Sequence, residues 1–188
     1  MDMSVFMYRH FVETGVAWAA LGAIAAVMFG GIGSARGLRI SGSQAAGVLS
    51  EKPELFGKLL VLVGLPGTQG FYGLVCAFLI GGMSGLSDGT FTVSLSGGLA
   101  MMFIGIGMGV VLWLSAIAQG EAAAASINLV AKKPDESGRA IIFPALVETY
   151  AIVALLAAFL LLGWVADLTQ VEHVMKVDLS AAAQAVQQ

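Results

Sequence analysis

The sequence predicts an all-α membrane protein whose four transmembrane helices form two tandem hairpins. Three observations carry that reading. Of the 188 residues, 58% are hydrophobic and only 11% charged, with a mean hydropathy of +0.90; soluble domains usually carry about 25% charged residues. The charges also partition the chain: 14–35, 59–87 and 89–120 are charge-free, and 140–166 holds Glu148 alone. Finally, the two halves echo one another. Each run exceeds the roughly 20 apolar residues that cross a bilayer core as a helix, and helices satisfy their own backbone where no water reaches.

In chain order, residues 1–13 form an N-terminal extension. Residues 14–83 form the first hairpin, 84–166 the second hairpin with the candidate site, and 167–188 a polar tail. The first span is too long for a signal-peptide core and lacks a strongly basic leader, so it reads as a retained helix. The Ala/Gln-rich tail is compatible with a surface helix or with disorder. High glycine (25) with low proline (four) fits close-packed membrane helices. A net charge of −3 gives no footing for nucleic acid. The single cysteine, Cys76, lies in an apolar run and reads as a small buried hydrophobe. His10 and His173 stand alone near the two ends, make no metal-ligand pattern and read as solvated or interfacial.

Seven of the nine basic residues fall in two segments: Arg36, Arg39, Lys52 and Lys58, then Lys132, Lys133 and Arg139. These are expected to link the first span to the second and the third to the fourth. The middle link, around Gly81 to Asp88, has no Lys or Arg. By the positive-inside rule both basic loops face the cytoplasm and both termini the opposite side.

Lys52-Pro53-Glu54 with Gly57-Lys58 is echoed, 81 residues on, by Lys133-Pro134-Asp135 with Gly138-Arg139. At an offset of 83, the small residues Gly15, Gly22, Ala26, Gly33 and Gly37 match Gly98, Gly105, Gly109, Ala116 and Gly120. Steps of seven and four keep each set on one helical face. Small residues let helix backbones approach closely in lipid, so the first and third spans are expected in a crowded layer, with the bulkier second and fourth outside. Packing within one compact bundle would use the same stripes. The glycine runs at 31–33 and 105–109 do not follow a strand in a βαβ unit, so they are not phosphate loops. Met101, Met102 and Met108 read as packing or lipid-facing residues.

Glu148 is the only ionisable residue deep within any run. A mid-bilayer charge costs at least about 2.5–3.5 kcal/mol on insertion scales, and an intramembrane acid is by default functional; the structural alternative is a protonated glutamate bonded to a neighbour. In the second span Leu65, Thr68, Gln69 and Tyr72 follow i, i+3, i+4, i+7 and share a face. Pro66 and Pro144 each interrupt a helical bond, the latter one turn before Glu148. Gln119 is expected at the cytoplasmic end of the third span. Together these residues offer a carboxylate, two amides, a hydroxyl and a backbone carbonyl, a shell for a hard cation. A proton would need only the carboxylate; the abundance of oxygen favours sodium.

Leu65-Pro66-Gly67-Thr68-Gln69-Gly70-Phe71-Tyr72-Gly73, Phe143-Pro144-Ala145-Leu146-Val147-Glu148-Thr149-Tyr150-Ala151, Ala118-Gln119-Gly120 and Ala131-Lys132-Lys133-Pro134 together resemble the duplicated c-type (K) proteolipids of V-type ATPases. The resemblance covers roughly Gly15 to Gly163. It implies a membrane rotor ring of identical four-helix subunits, with the first and third spans inside, turning in membrane lipid. It also implies a stator membrane subunit whose cation releases the ion, a central-stalk subunit at the cytoplasmic loops, and ATP hydrolysis in other subunits, with no catalytic site here. Glu148 would be the ion carrier. Na+ would be held by Leu65 (through its carbonyl), Thr68, Gln69, Gln119 and Glu148, with Tyr72 closing the site; the same rotor carrying H+ is the alternative. The position paired with Glu148 at an offset of 81 is Gly67, so one carboxylate serves four helices. A stand-alone four-helix channel or structural proteolipid is the other reading. It would call for a polar stripe along a pore, whereas the polar groups here cluster at one depth.

Overall fold

The computed structural model describes residues 2–8, 11, 13–90 and 93–186, with side chains described as far as Thr169 except at Phe6 and Met7. His10 and the side chain of His173 lie outside the described residues. A short helix, Met3–Tyr8, precedes four long ones. We label these α1 (Val16–Glu51), α2 (Pro53–Met83), α3 (Leu95–Lys132) and α4 (Ile142–Val186). No strand occurs among the described residues. All four are long and apolar enough to span a membrane, α4 through its portion ending at Thr169.

The helices outrun the apolar layer. With 36 and 38 residues, α1 and α3 reach about 54 and 57 Å at a rise of ~1.5 Å per residue, against about 30 Å of hydrocarbon. Arg36, Arg39 and Lys132, expected in the hairpin loops, therefore lie inside α1 and α3. A charge ends the lipid-compatible stretch, but Ala, Arg, Leu and Gln continue a helix readily. The terminators are the Lys-Pro pairs, because the residue before proline is driven from the helical region. Lys52 (φ −135°, ψ 68°) and Lys133 (φ −136°, ψ 79°) adopt nearly the same conformation. The two turns are laced together: Lys52 Nζ donates to the Ala131 carbonyl at 2.6 Å and Lys58 Nζ to that of Pro134 at 3.0 Å. The Ala131 carbonyl lies in the last turn of α3, where the helix dipole favours positive charge.

At the other end the chain turns through Gly85 and Gly89, both at φ 73°, a left-handed conformation that costs glycine nothing. The Thr90 amide and hydroxyl both donate to Asp88, at 3.1 and 2.8 Å, and hold its carboxyl below the usual range. Ser94 caps α3 by accepting from the Gly97 amide. The tail is backbone helix continuous with α4 as far as Val186, in keeping with its Ala- and Gln-rich composition.

The glycine stripes meet each other inside one chain. Gly15 lies on Gly98, Gly22 on Gly105 and Gly37 on Gly120, backbone against backbone. A methyl group on Gly33 would stand 2.6 Å from the Trp113 Cα, and one on Gly120 2.6 Å from the Gly37 Cα. The offset of 83 is thus the contact register of α1 on α3. The repeat itself runs at 81, as the Lys-Pro turns show. The stripes are consumed within the bundle, one of the two uses open to them. α2 lies on α1, where Gly73 meets the Ala26 carbonyl and the Ser34 hydroxyl accepts the Gly70 amide at 2.8 Å. α4 lies on α3. Phe71, Phe78, Leu146, Leu156 and Trp164 point outward from α2 and α4. Cys76, Met101 and Met108 pack in the core. Trp113 is stacked on Phe29 (5.9 Å) and lies beneath the Arg36 guanidinium (5.5 Å).

Gly33→Ala should destabilise the protein by about 1–3 kcal/mol, the usual cost of overpacking. Gly163→Ala, where the added carbon meets nothing within 4 Å, should leave stability unchanged or raise it by up to about 1 kcal/mol. Unfolding in mild detergent, followed by circular dichroism, measures both.

Candidate cation-binding site

Pro66 lacks the amide that would bond one turn back, and α2 responds by tightening to a 3₁₀ turn over Leu65–Gly67 between Phe56–Gly64 and Thr68–Met83. The Leu65 carbonyl accepts the Thr68 amide across this turn. The Thr68 hydroxyl donates to the same carbonyl at 3.0 Å. The turn thereby gathers a carbonyl and a hydroxyl oxygen on the face that also carries Gln69 and, one turn on, Tyr72. The Ser34 contact from α1 holds the first turn after it.

Gln119 comes from α3 and Glu148 from α4. Gln119 does not sit at the end of its helix, as the charge-free run implied, because α3 continues to Lys132. It is fully buried, as is Gln69; Glu148, Tyr72, Thr68 and Leu65 are half-buried. The Gln119 amide nitrogen donates to the Pro144 carbonyl at 3.1 Å and to Glu148 Oε2 at 3.4 Å. Its amide oxygen accepts from Gln69 Nε2, which turns Gln69 Oε1 toward the Thr68 hydroxyl, 3.4 Å away. From the other side the Tyr72 hydroxyl donates to Glu148 Oε1 at 2.6 Å.

All six candidate residues are therefore joined in one network at one depth, supplied by three helices. The arrangement satisfies the buried amides, which would otherwise be costly in an apolar layer. It also brings together carboxylate, amide, hydroxyl and carbonyl oxygens, the donors that hard cations take. Among the described residues no group of three or more His, Cys, Asp or Glu is assembled, so a soft-metal site is not built. Two contributors were not singled out from the sequence: Ser34 and the carbonyl of Pro144. The first has a signal, since a serine also stands 81 residues on at Ser115, whose hydroxyl donates to the Val147 carbonyl at 3.5 Å. The second has none, because every residue carries a carbonyl.

Known proteins share this plan. The pattern of the ATP synthase C-subunit family matches twice, over residues 21–80 and 102–161, at the same offset of 81. The V-type sodium ATPase subunit K of Enterococcus hirae is 44% identical over 152 residues, covering 78% of this chain and 91% of that protein. The A-type ATP synthase subunit K of Methanocaldococcus jannaschii is 41% identical over 143 residues, 76% of this chain and 60% of its own length. The 16 kDa proteolipid of the V-type proton ATPase of Ovis aries is 34% identical over 103 residues, 55% of this chain and 61% of that protein. Two copies of the family pattern on two matching hairpins place the chain in the ATP synthase C-subunit family, among its duplicated K/c proteolipids.

Proposed function

We propose that this multi-pass membrane protein is the ion-carrying rotor-ring subunit of a V-type rotary ATPase, and that Na+ travels on Glu148. The observation that supports this most is the oxygen network around that carboxylate. The Leu65 carbonyl and Gln69 Oε1 lie within 3.4 Å of the Thr68 hydroxyl, Gln119 links Gln69 to Glu148, and Tyr72 donates to the carboxylate. The name of the Enterococcus relative adds weight to Na+ over H+.

The residues act as follows in this reading. A cation draws together the carboxylate and the Thr68 hydroxyl oxygen, whose proton turns aside to leave a lone pair for the ion. The bound charge cancels that of Glu148, so the loaded site can travel through lipid without the full penalty of a buried ion. The Tyr72 bond keeps the carboxylate turned inward during that passage. When a stator cation comes near, Glu148 exchanges partners and the ion leaves on the other side. The basic turns at Lys52–Lys58 and Lys132–Arg139 face the cytoplasm and meet the central stalk, with both termini on the far side.

A carbodiimide should label Glu148, and Na+ should slow the labelling as its concentration rises; labelling indifferent to Na+ at every pH would assign the site to a proton. Tyr72→Phe removes a hydrogen bond to a charged group, worth about 1.5–3 kcal/mol. Half-protection should then need roughly tenfold more Na+ or beyond, measured in the same assay. Glu148→Gln should abolish ATP-driven transport in reconstituted vesicles while the subunits still assemble. Transport that persists in this variant would rule out the carrier role.

A further inference from the structure

α1 supplies none of the six residues of the network, yet the turn that presents the Leu65 carbonyl and the Thr68 hydroxyl rests on it. A methyl group on Gly37 would stand 2.7 Å from Pro66 Cβ, and one on Gly67 would stand 3.7 Å from Leu38 Cδ1. Two serines of α1, Ser34 and Ser41, lie two turns apart on this same face. They reach α2 on either side of the turn.

Each serine meets a backbone group that the turn leaves short of a partner. Before the turn, the Val63 carbonyl loses the amide four residues on, because bonds in a 3₁₀ turn reach back only three. The Ser41 hydroxyl lies 3.1 Å from that carbonyl. It is also 3.2 and 3.3 Å from the Gly37 and Leu38 carbonyls of its own helix. Those already take amides within α1, so the Val63 carbonyl is where the proton is needed. After the turn, the helix Thr68–Met83 begins on Gly67, which has no side chain and makes no cap. Its third amide, that of Gly70, is one that an N-cap side chain would serve. Ser34 serves it from another helix, accepting at 2.8 Å. Both serines are buried, Ser41 completely.

The second hairpin lacks this arrangement. The counterparts of Ser41 and Pro66, 81 residues on, are Ala122 and Val147, and the chain around Val147 is ordinary α-helix. The counterpart of Val63 is Pro144, whose carbonyl takes its side-chain donor from Gln119. A serine persists at Ser115, but its hydroxyl donates to a carbonyl where Ser34 accepts an amide. The proline turn and the serine pair thus occur together, in the hairpin that supplies the carbonyl and hydroxyl oxygens.

We propose that Ser34 and Ser41 are positioning residues of the cation site, pinning the Leu65–Gly67 turn from both sides so that the Leu65 carbonyl and Thr68 hydroxyl stay presented to an ion. They touch no ion themselves. They govern how tightly the site takes a cation and leave untouched how Glu148 takes a proton, because Tyr72 and Gln119 reach the carboxylate directly.

This inference rests on the sodium reading and names residues outside the ligand set that tune it. In the assembled protein in mild detergent, Ser34→Ala should need about two- to tenfold more Na+ for half-protection of Glu148 from a carbodiimide, as expected for one lost neutral hydrogen bond. Ser41→Ala should shift half-protection in the same direction, and it tests the other pin should Ser34→Ala impair assembly. The pH dependence of labelling without Na+ should match that of the unaltered protein in both. Ser126→Ala, which removes an equally buried hydroxyl that meets no partner, should change neither quantity. If both pin variants are protected at the unaltered Na+ concentration, the turn needs no pins; the proposal fails and the sodium reading stands. If their pH dependence moves as well, the serines act through the carboxylate and the proposal fails. If the unaltered protein is labelled alike at every Na+ concentration, the sodium reading falls and this proposal with it.

Discussion

The contact of α1 with α3, backbone on backbone, is the constraint from which the remaining geometry follows. Without side chains at Gly15, Gly22, Gly33 and Gly37 the two helices approach as closely as helices can. α2 lies against α1 and α4 against α3, so the inner spacing sets the outer one. A phenol on α2 can touch a carboxylate on α4 only because two other helices nearly merge beneath them. Gly30 and Gly73 extend the same economy to the α1–α2 contact.

The polar network lies beside Gly37, on which Ala116 and Pro66 both close. Each buried amide in it has a partner, and the orientation of one amide dictates the next, from the Pro144 carbonyl through Gln119 and Gln69 to Thr68. A network of this kind is stiff, because turning any member leaves two groups unsatisfied in a medium that offers no water. Proline contributes twice. At Pro66 it converts a turn of helix into a carbonyl-presenting loop, and at Pro144 it stands one turn before the carboxylate.

Much of this was legible in the chain. Runs without charge mark the four spans, and the i, i+3, i+4, i+7 spacing of Leu65, Thr68, Gln69 and Tyr72 marks a shared face. A lone acid in a 27-residue apolar run marks the centre of the site. What misled was the use of charge as punctuation for helices. Arg36, Arg39 and Glu121 close the apolar layer but not the helix, so Gln119 looked terminal although α3 runs on to Lys132. The offset of 83 was equally deceptive: it pairs residues that touch, whereas residues that correspond are 81 apart, and only coordinates separate the two relations. The roles of Ser34 and the Pro144 carbonyl are beyond any one-dimensional pattern, since both depend on which helix happens to pass nearby.

Glycine at 67, opposite the one acid in the repeat, has a mechanical corollary. In the rotor proposed above, two hairpins pass for every ion carried, so a full turn moves half as many ions as it would with an acid in each hairpin. The free energy of each turn is divided among fewer passengers, and each is driven with greater force. A rotor cut this way trades throughput for thrust.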